Sequence, residues 1–174
     1  PVLIKRMLSA SPTNDRDRLY MWEAGWIGFL ENPIVGIGRG NERFEYEQHR
    51  ARVAERHGGH HFLNTASAGI HNVYLQVAYN TGVIGLLGFL WLYGAVFAWC
   101  AHWIRRARDR EDLGFERGLL WGAAAGLAGT LVAGVFQNNY FDAEVGNMVG
   151  IAIGLALHAG LAVRNSSYAA VSIE

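Results

Sequence analysis

Apolar and polar positions fall in blocks along this chain. Residues 81–104 and 118–141 are two 24-residue runs without a charged side chain, and 145–163 is a third of 19 residues. A helix rises about 1.5 Å per residue, so each longer run reaches about 36 Å, enough to cross a hydrocarbon core of about 30 Å with some tilt. The first run, VIGLLGFLWLYGAVFAWCAHWI, has no polar stripe to turn toward water. The pattern predicts three transmembrane helices, at 81–104, 118–137 and 145–163. The second and third are rich in small residues (Gly122, Ala123, Ala124, Ala125, Gly126, Ala128, Gly129; Gly146, Gly150, Gly154, Ala156). Such helices pack closely in membranes, so partner helices are implied.

Ahead of the spans lies an 80-residue segment of different pattern. Leu19, Trp22, Trp26, Ile27 and Leu30 recur at helical spacing, which predicts a short amphipathic helix over about 15–31. Asn14 is placed to cap it, with Asp17 at the third helical position, and Asn32-Pro33 to end it. Tyr20, Trp22 and Trp26 suit a membrane interface, and a helix docked on the rest of the protein explains them equally well. Pro33 to Gly40 (PIVGIGRG) reads as a glycine-rich turn, and NERFEYEQHRARVAER at 41–56 as a solvated helix.

Charge sharpens this division. Only 17% of the 174 residues are charged, against roughly 25% in an ordinary soluble domain. The net charge is zero, which argues against a basic nucleic-acid binder. One cysteine, Cys100, leaves no internal disulfide framework, and 22 glycines without a fixed period beside 3 prolines exclude a collagen-like chain. The 105–117 connection, RRARDREDLGFER, carries five Arg, whereas QNNYFDAE at 137–144 carries none. The positive-inside rule then puts the 105–117 loop and the 164–174 tail in the cytoplasm, and residues 1–80 and the 138–144 loop on the outer side. The chain opens on Pro1 rather than Met, so it reads as the C-terminal part of a longer membrane protein.

Candidate chemistry lies on the outer segment. The glycine-rich turn is no P-loop, lacking Gly-Lys-Ser/Thr, but glycine lets backbone N–H groups approach an anion, and Arg39 lies inside it. A structural turn and a phosphate contact both fit. Five of seven histidines (His49, His57, His60, His61, His71) fall between residues 49 and 71, with no HExxH and no nearby cysteine, so surface histidines explain them better than a zinc site. His71 differs, because it stands at the start of the helix entering the membrane. The positive end of a helix dipole disfavours imidazolium, so a neutral, proton-accepting His71 is chemically reasonable there, as is a simple polar cap.

Four pieces in order carry a family resemblance, from about Arg18 to Leu92. They are Arg18 four residues before Trp22; Pro-x-x-Gly-x-Gly (Pro33, Gly36, Gly38); His-Asn-x-x-Leu-Gln (His71, Asn72, Leu75, Gln76); and Gly-x-x-Gly (Gly82, Gly85) opening a transmembrane helix. In this order they resemble the C-terminal half of the O-antigen ligase and polymerase superfamily, the Wzy_C-like membrane glycosyltransferases. Family members often carry an acid two residues before the first glycine of the last piece, where this chain has Asn80; a carboxylate role there does not carry over.

The resemblance implies an all-α integral membrane protein, in which this chain supplies the last three transmembrane helices of a larger bundle after a periplasmic helical loop segment. It implies an enzyme of the bacterial inner membrane that moves a glycan from undecaprenyl diphosphate to an acceptor hydroxyl, on the lipid A core or another lipid-linked glycan, by an inverting reaction. Partners would be the donor, the acceptor, the membrane and the N-terminal helices, with no nucleic acid. His71 is then the general base. Arg18 and Arg39, with Arg16 and Arg43 behind them, meet the diphosphate, since the arginine fork matches phosphate oxygens. Trp22, Gly36, Gly38 and Asn72 support them. The simpler expectation is a metal-independent reaction without a cofactor. The alternatives are a membrane transporter or flippase, or a non-catalytic polysaccharide-export subunit.

Overall fold

The computed structural model describes residues 12–62, 69–137 and 142–171. Among them every regular element is a helix: α1 (Pro12–Glu31), α2 (Glu42–Arg56), α3 (Val73–Arg106), α4 (Gly114–Ala133) and α5 (Ala143–Val171), with a 3-10 turn at Glu111–Leu113. The part of the 138–144 loop at 138–141 lies outside the described residues.

The boundaries shift for physical reasons. α1 begins at Pro12, so Asn14 falls inside the helix; proline's fixed φ suits a first turn, where its missing N–H has no partner to lose. α3 begins eight residues before the predicted span at 81–104, because Asn72 caps it: its Oδ1 accepts from the Leu75 amide at 2.9 Å. α4 ends at Ala133 rather than 137. Two helices, Val73–Arg106 and Ala143–Ser166, are long and apolar enough to cross a membrane. α4 is also 20 residues long, but Glu116, Arg117 and its five glycines dilute its apolar character.

The described chain packs as two units. The first holds the described residues of Pro1–Leu87 with Gly134–Asn138. Here α1 lies on α2 around a core of Ala24, Tyr46, Val53, Ile70 and Tyr79, flanked by Tyr20, Trp22, Ile27, Ile37 and Leu75. Gly28 is where α1 meets Tyr79; a Cβ there would overlap the ring. Tyr46 Oη donates to the Met21 carbonyl at 3.1 Å, and burial raises the phenol's pKa. α1 therefore has two apolar faces rather than one stripe: Met21 and Ala24 are buried, while Leu19, Trp26 and Leu30 on the opposite side are exposed.

The second unit holds the described residues of Gly88–Ala133 and Asn139–Glu174. Ala107, Leu113 and Val163 form its small core, with Trp103 packed against them. Trp99 Nε1 donates to the Ala156 carbonyl at 3.0 Å, and Gly160 makes room for the Trp99 and Trp103 rings. Arg117 ties the α3–α4 connection by donating from Nη1 to the Ala107 and Arg108 carbonyls at 3.1 and 2.7 Å.

Candidate functional site

Within the first unit, the glycine-rich segment and the start of α3 are one construction. In an unbroken helix the Val83 and Ile84 amides would donate to the Tyr79 and Asn80 carbonyls. At Gly82 (φ 65°, ψ −167°) the helix breaks, in a region open essentially to glycine alone. The four released groups pair with residues 33–38 instead. Val83 N–H donates to the Pro33 carbonyl at 2.8 Å and Ile84 N–H to Ile34 at 3.4 Å; Ile37 and Gly38 N–H donate to the Tyr79 and Asn80 carbonyls at 3.0 Å each. A Cβ on Gly36 would run into the Asn80–Thr81 peptide, and one on Gly82 into the Ile34 carbonyl. The segment is thus a strap over a kink, and its Ile37 and Gly38 amides are already used there, with Gly36 N–H bonded to the Asn32 carbonyl at 2.9 Å. Arg39 follows the strap and is exposed.

His71 stands eleven residues, about three helical turns, ahead of this kink. It has φ 52°, the positive-φ position among described non-glycine residues, a conformation more common for His, Asn and Asp than for other side chains but still sparse. Surrounding bonds hold it. On its N-terminal side, Ile70 N–H donates to Gln76 Oε1 at 3.1 Å, and Gln76 Nε2 donates to Asn80 Oδ1 at 3.4 Å. On its other side Asn72, besides capping α3, donates from Nδ2 to the Val135 carbonyl at 3.1 Å. Trp22 Nε1 donates to the carbonyl of His71 itself at 3.4 Å and its indole packs near Phe136. The Val73 amide, which a helix N-terminus leaves without an internal partner, donates to the Gly134 carbonyl at 2.7 Å.

Burial lowers the His71 pKa from its ordinary 6.5, and the Arg18 charge lowers it further. Both effects penalise imidazolium. The sequence-predicted Arg18, Trp22, His71 and Asn72 are therefore brought together. Gly36 and Gly38 belong to the strap. Arg16 is an exposed position near the start of α1. Arg43 lies in α2, and its side chain is outside the described residues.

Of the other four histidines in this group, His57 and His61 are exposed as the sequence suggests, while His60 is half-buried and His49 buried, and three of the four are paired. Each described one of three faces an α1 carboxylate: His49 Nε2 lies 2.8 Å from Glu31, His57 Nε2 2.8 Å from Glu23, and His60 Nε2 2.6 Å from Asp17. His49 is 1% exposed and also meets the Tyr79 hydroxyl through Nδ1 at 3.0 Å. An ionised Glu31 only accepts, so Nε2 donates to it, and in a neutral ring Nδ1 accepts the Tyr79 hydroxyl proton. The His49 bond, then the Arg52 bond, holds the Glu31 carboxyl below its usual range. Sequence reasoning assigned Gln76 no role beyond its motif and read Asn80 only as a departure from the family, and it passed over the buried Arg50, whose guanidinium sits 4.5 Å from the Phe62 ring centroid. Gln76, five residues after His71 in a helical pattern, was the one with a signal: a polar side chain on the inward face.

The model of the family described as O-Antigen ligase matches residues 3–90. Over 71 residues the sequence is 34% identical to an O-antigen ligase of Salmonella typhimurium. That stretch is 41% of this chain and 17% of the Salmonella protein, so the chain spans a minor part of that relative's length.

Proposed function

The chain belongs to the O-antigen ligase family, and on that premise we propose that it forms part of a membrane enzyme transferring a glycan from undecaprenyl diphosphate to an acceptor hydroxyl at the periplasmic face. The acceptor is the lipid A core or another lipid-linked glycan. The observation that carries this reading is His71, set in a left-handed backbone at the head of α3, partly buried, beside Arg18.

In the proposed reaction the acceptor oxygen attacks the anomeric carbon as the bond to the diphosphate oxygen breaks, on the opposite face, so the configuration inverts. His71 takes the hydroxyl proton. A base kept neutral near pH 7 suits that task. Arg18, with Arg39, Arg16 and Arg43 as further cations, meets the charge developing on the leaving diphosphate. Guanidinium groups supply that charge without a metal, so activity should survive chelation. Trp22 and Asn72 hold the His71 backbone; Gly36 and Gly38 hold the strap. The accompanying topology is three spans with residues 1–80 periplasmic and the tail cytoplasmic, in the inner membrane, completed by helices from the rest of the protein.

The test is His71→Ala and, separately, Arg18→Ala in the full-length protein, with cell-surface polysaccharide run on a gel and membrane abundance measured. A general base contributes about 10²–10⁴-fold, so long-chain glycan should disappear at normal protein level while lipid-linked precursor accumulates. A ligase defect leaves bare core; a polymerase defect leaves core carrying one repeat. Wild-type ladders in both variants would overturn the assignment.

A further inference from the structure

The α1 face turned away from α2 is left uncovered within its own unit. Leu19, Trp26 and Leu30 project from it at 59%, 52% and 57% exposure. The ridge does not stop at the end of α1. Ile34 and Val35 in the strap are exposed at 62% and 66%, and the strap is hydrogen-bonded to Val83 and Ile84. Val83, Ile84 and Leu87, also exposed, are the first apolar side chains beyond the kink of a helix long and apolar enough to cross a membrane.

We infer that this ridge, Leu19–Trp26–Leu30 continued by Ile34 and Val35, is a lipid-binding surface that sinks α1 and the strap into the bilayer leaflet where α3 begins. Two observations choose lipid over a protein partner. The first is continuity: backbone bonds fix Ile34 and Val35 beside Val83 and Ile84, so whatever solvates the opening of the span also solvates the strap. Two exposed branched apolar side chains at that depth match acyl chains. The second is charge. Of the α1 carboxylates with described side chains, Asp17, Glu23 and Glu31 each pair with a histidine, His60, His57 and His49. Trp26 suits the boundary between headgroup and chain.

The surface is independent of His71 and is tested without activity. Single cysteines at Leu19, Trp26, Leu30, Ile34 and Val35 are introduced into a cysteine-free background of the full-length protein, spin-labelled and reconstituted in proteoliposomes of phosphatidylethanolamine and phosphatidylglycerol. Glu47 and Glu55, exposed on α2, serve as controls. Power saturation with oxygen, which concentrates in acyl chains, and with a water-soluble nickel chelate reads the surroundings. Ridge labels should relax several-fold more with oxygen than with nickel, and the α2 labels in the reverse order. Nickel-dominated relaxation along the ridge means water covers it and overturns the inference. Exclusion of both reagents means protein covers it, from elsewhere in the chain or a second copy, and overturns it equally.

Discussion

Glycine does opposite work at the strapped kink of the first unit and along α4 of the second. In the first, Gly36 and Gly82 are held at positive φ with backbone pressed against the place a Cβ would occupy. In the second, Gly114, Gly118, Gly122, Gly126 and Gly129 of α4 have open space where a Cβ would go. The first pair is required by contacts inside its own unit. The α4 series, mostly four residues apart and so along one ridge of the helix, answers to no contact in its unit. A glycine count alone would merge these two causes.

Substitution separates them. Gly82→Ala should be the most damaging: alanine in that conformation costs about 1–3 kcal/mol in strain, and the Ile34 carbonyl it would strike is backbone that cannot rotate away. The kink and strap should come apart, seen as loss of folded protein in membranes and of glycan transfer together. Wild-type abundance and activity would show that the kink is dispensable.

His49→Ala should come next. It takes His49 from the buried Tyr79 hydroxyl and leaves Glu31 with Arg52 alone, and an unsatisfied buried polar group costs about 1–3 kcal/mol. A drop in the melting temperature of purified protein checks it. The pH sign follows from Glu31. Its carboxyl titrates below the ordinary 4.5 when folded, so the pair's stabilisation is present above that value and lost as pH falls through the lower folded one. His49→Ala should flatten this acid dependence, and Arg52→Ala should flatten it less.

Gly122→Ala should do least. Alanine is better than glycine in a helix by about 1 kcal/mol, and there is room for its methyl, so stability should stay level or rise slightly. A clear loss would sharpen the comparison in a different way, since it would mean a second helix closes on the α4 ridge.

The two helices long and apolar enough to cross a membrane, Val73–Arg106 and Ala143–Ser166, were the most legible part of the chain, because charge is costly in hydrocarbon and its absence over 81–104 and 145–163 marks a sequence directly. α1 was legible from the spacing of Leu19, Trp22 and Trp26, but its two-faced character was not, since periodicity shows that residues share a face and not what covers it. The strap was half visible. Gly36, Gly38 and Gly82 stood out, yet the bonds joining 33–38 to 79–84 are between backbone groups and leave no side-chain signature. His49 read as a surface histidine because its partner Glu31 lies 18 residues away on another helix. His71 was singled out by its position and by family resemblance; its left-handed backbone and its closeness to Arg18 needed coordinates.

The central claim is that His71 is a base kept neutral by burial and by Arg18. The most direct test is the pH dependence of kcat/KM for glycan transfer by the full-length protein in proteoliposomes, wild-type against Arg18→Gln. A neutral base works above its pKa, so activity should fall on the acid side with a midpoint below the ordinary 6.5. Removing the Arg18 charge should lower the rate and move that midpoint upward, while the burial that remains keeps it below 6.5. An acid limb that stays in place in Arg18→Gln and is unchanged in His71→Ala would contradict the account.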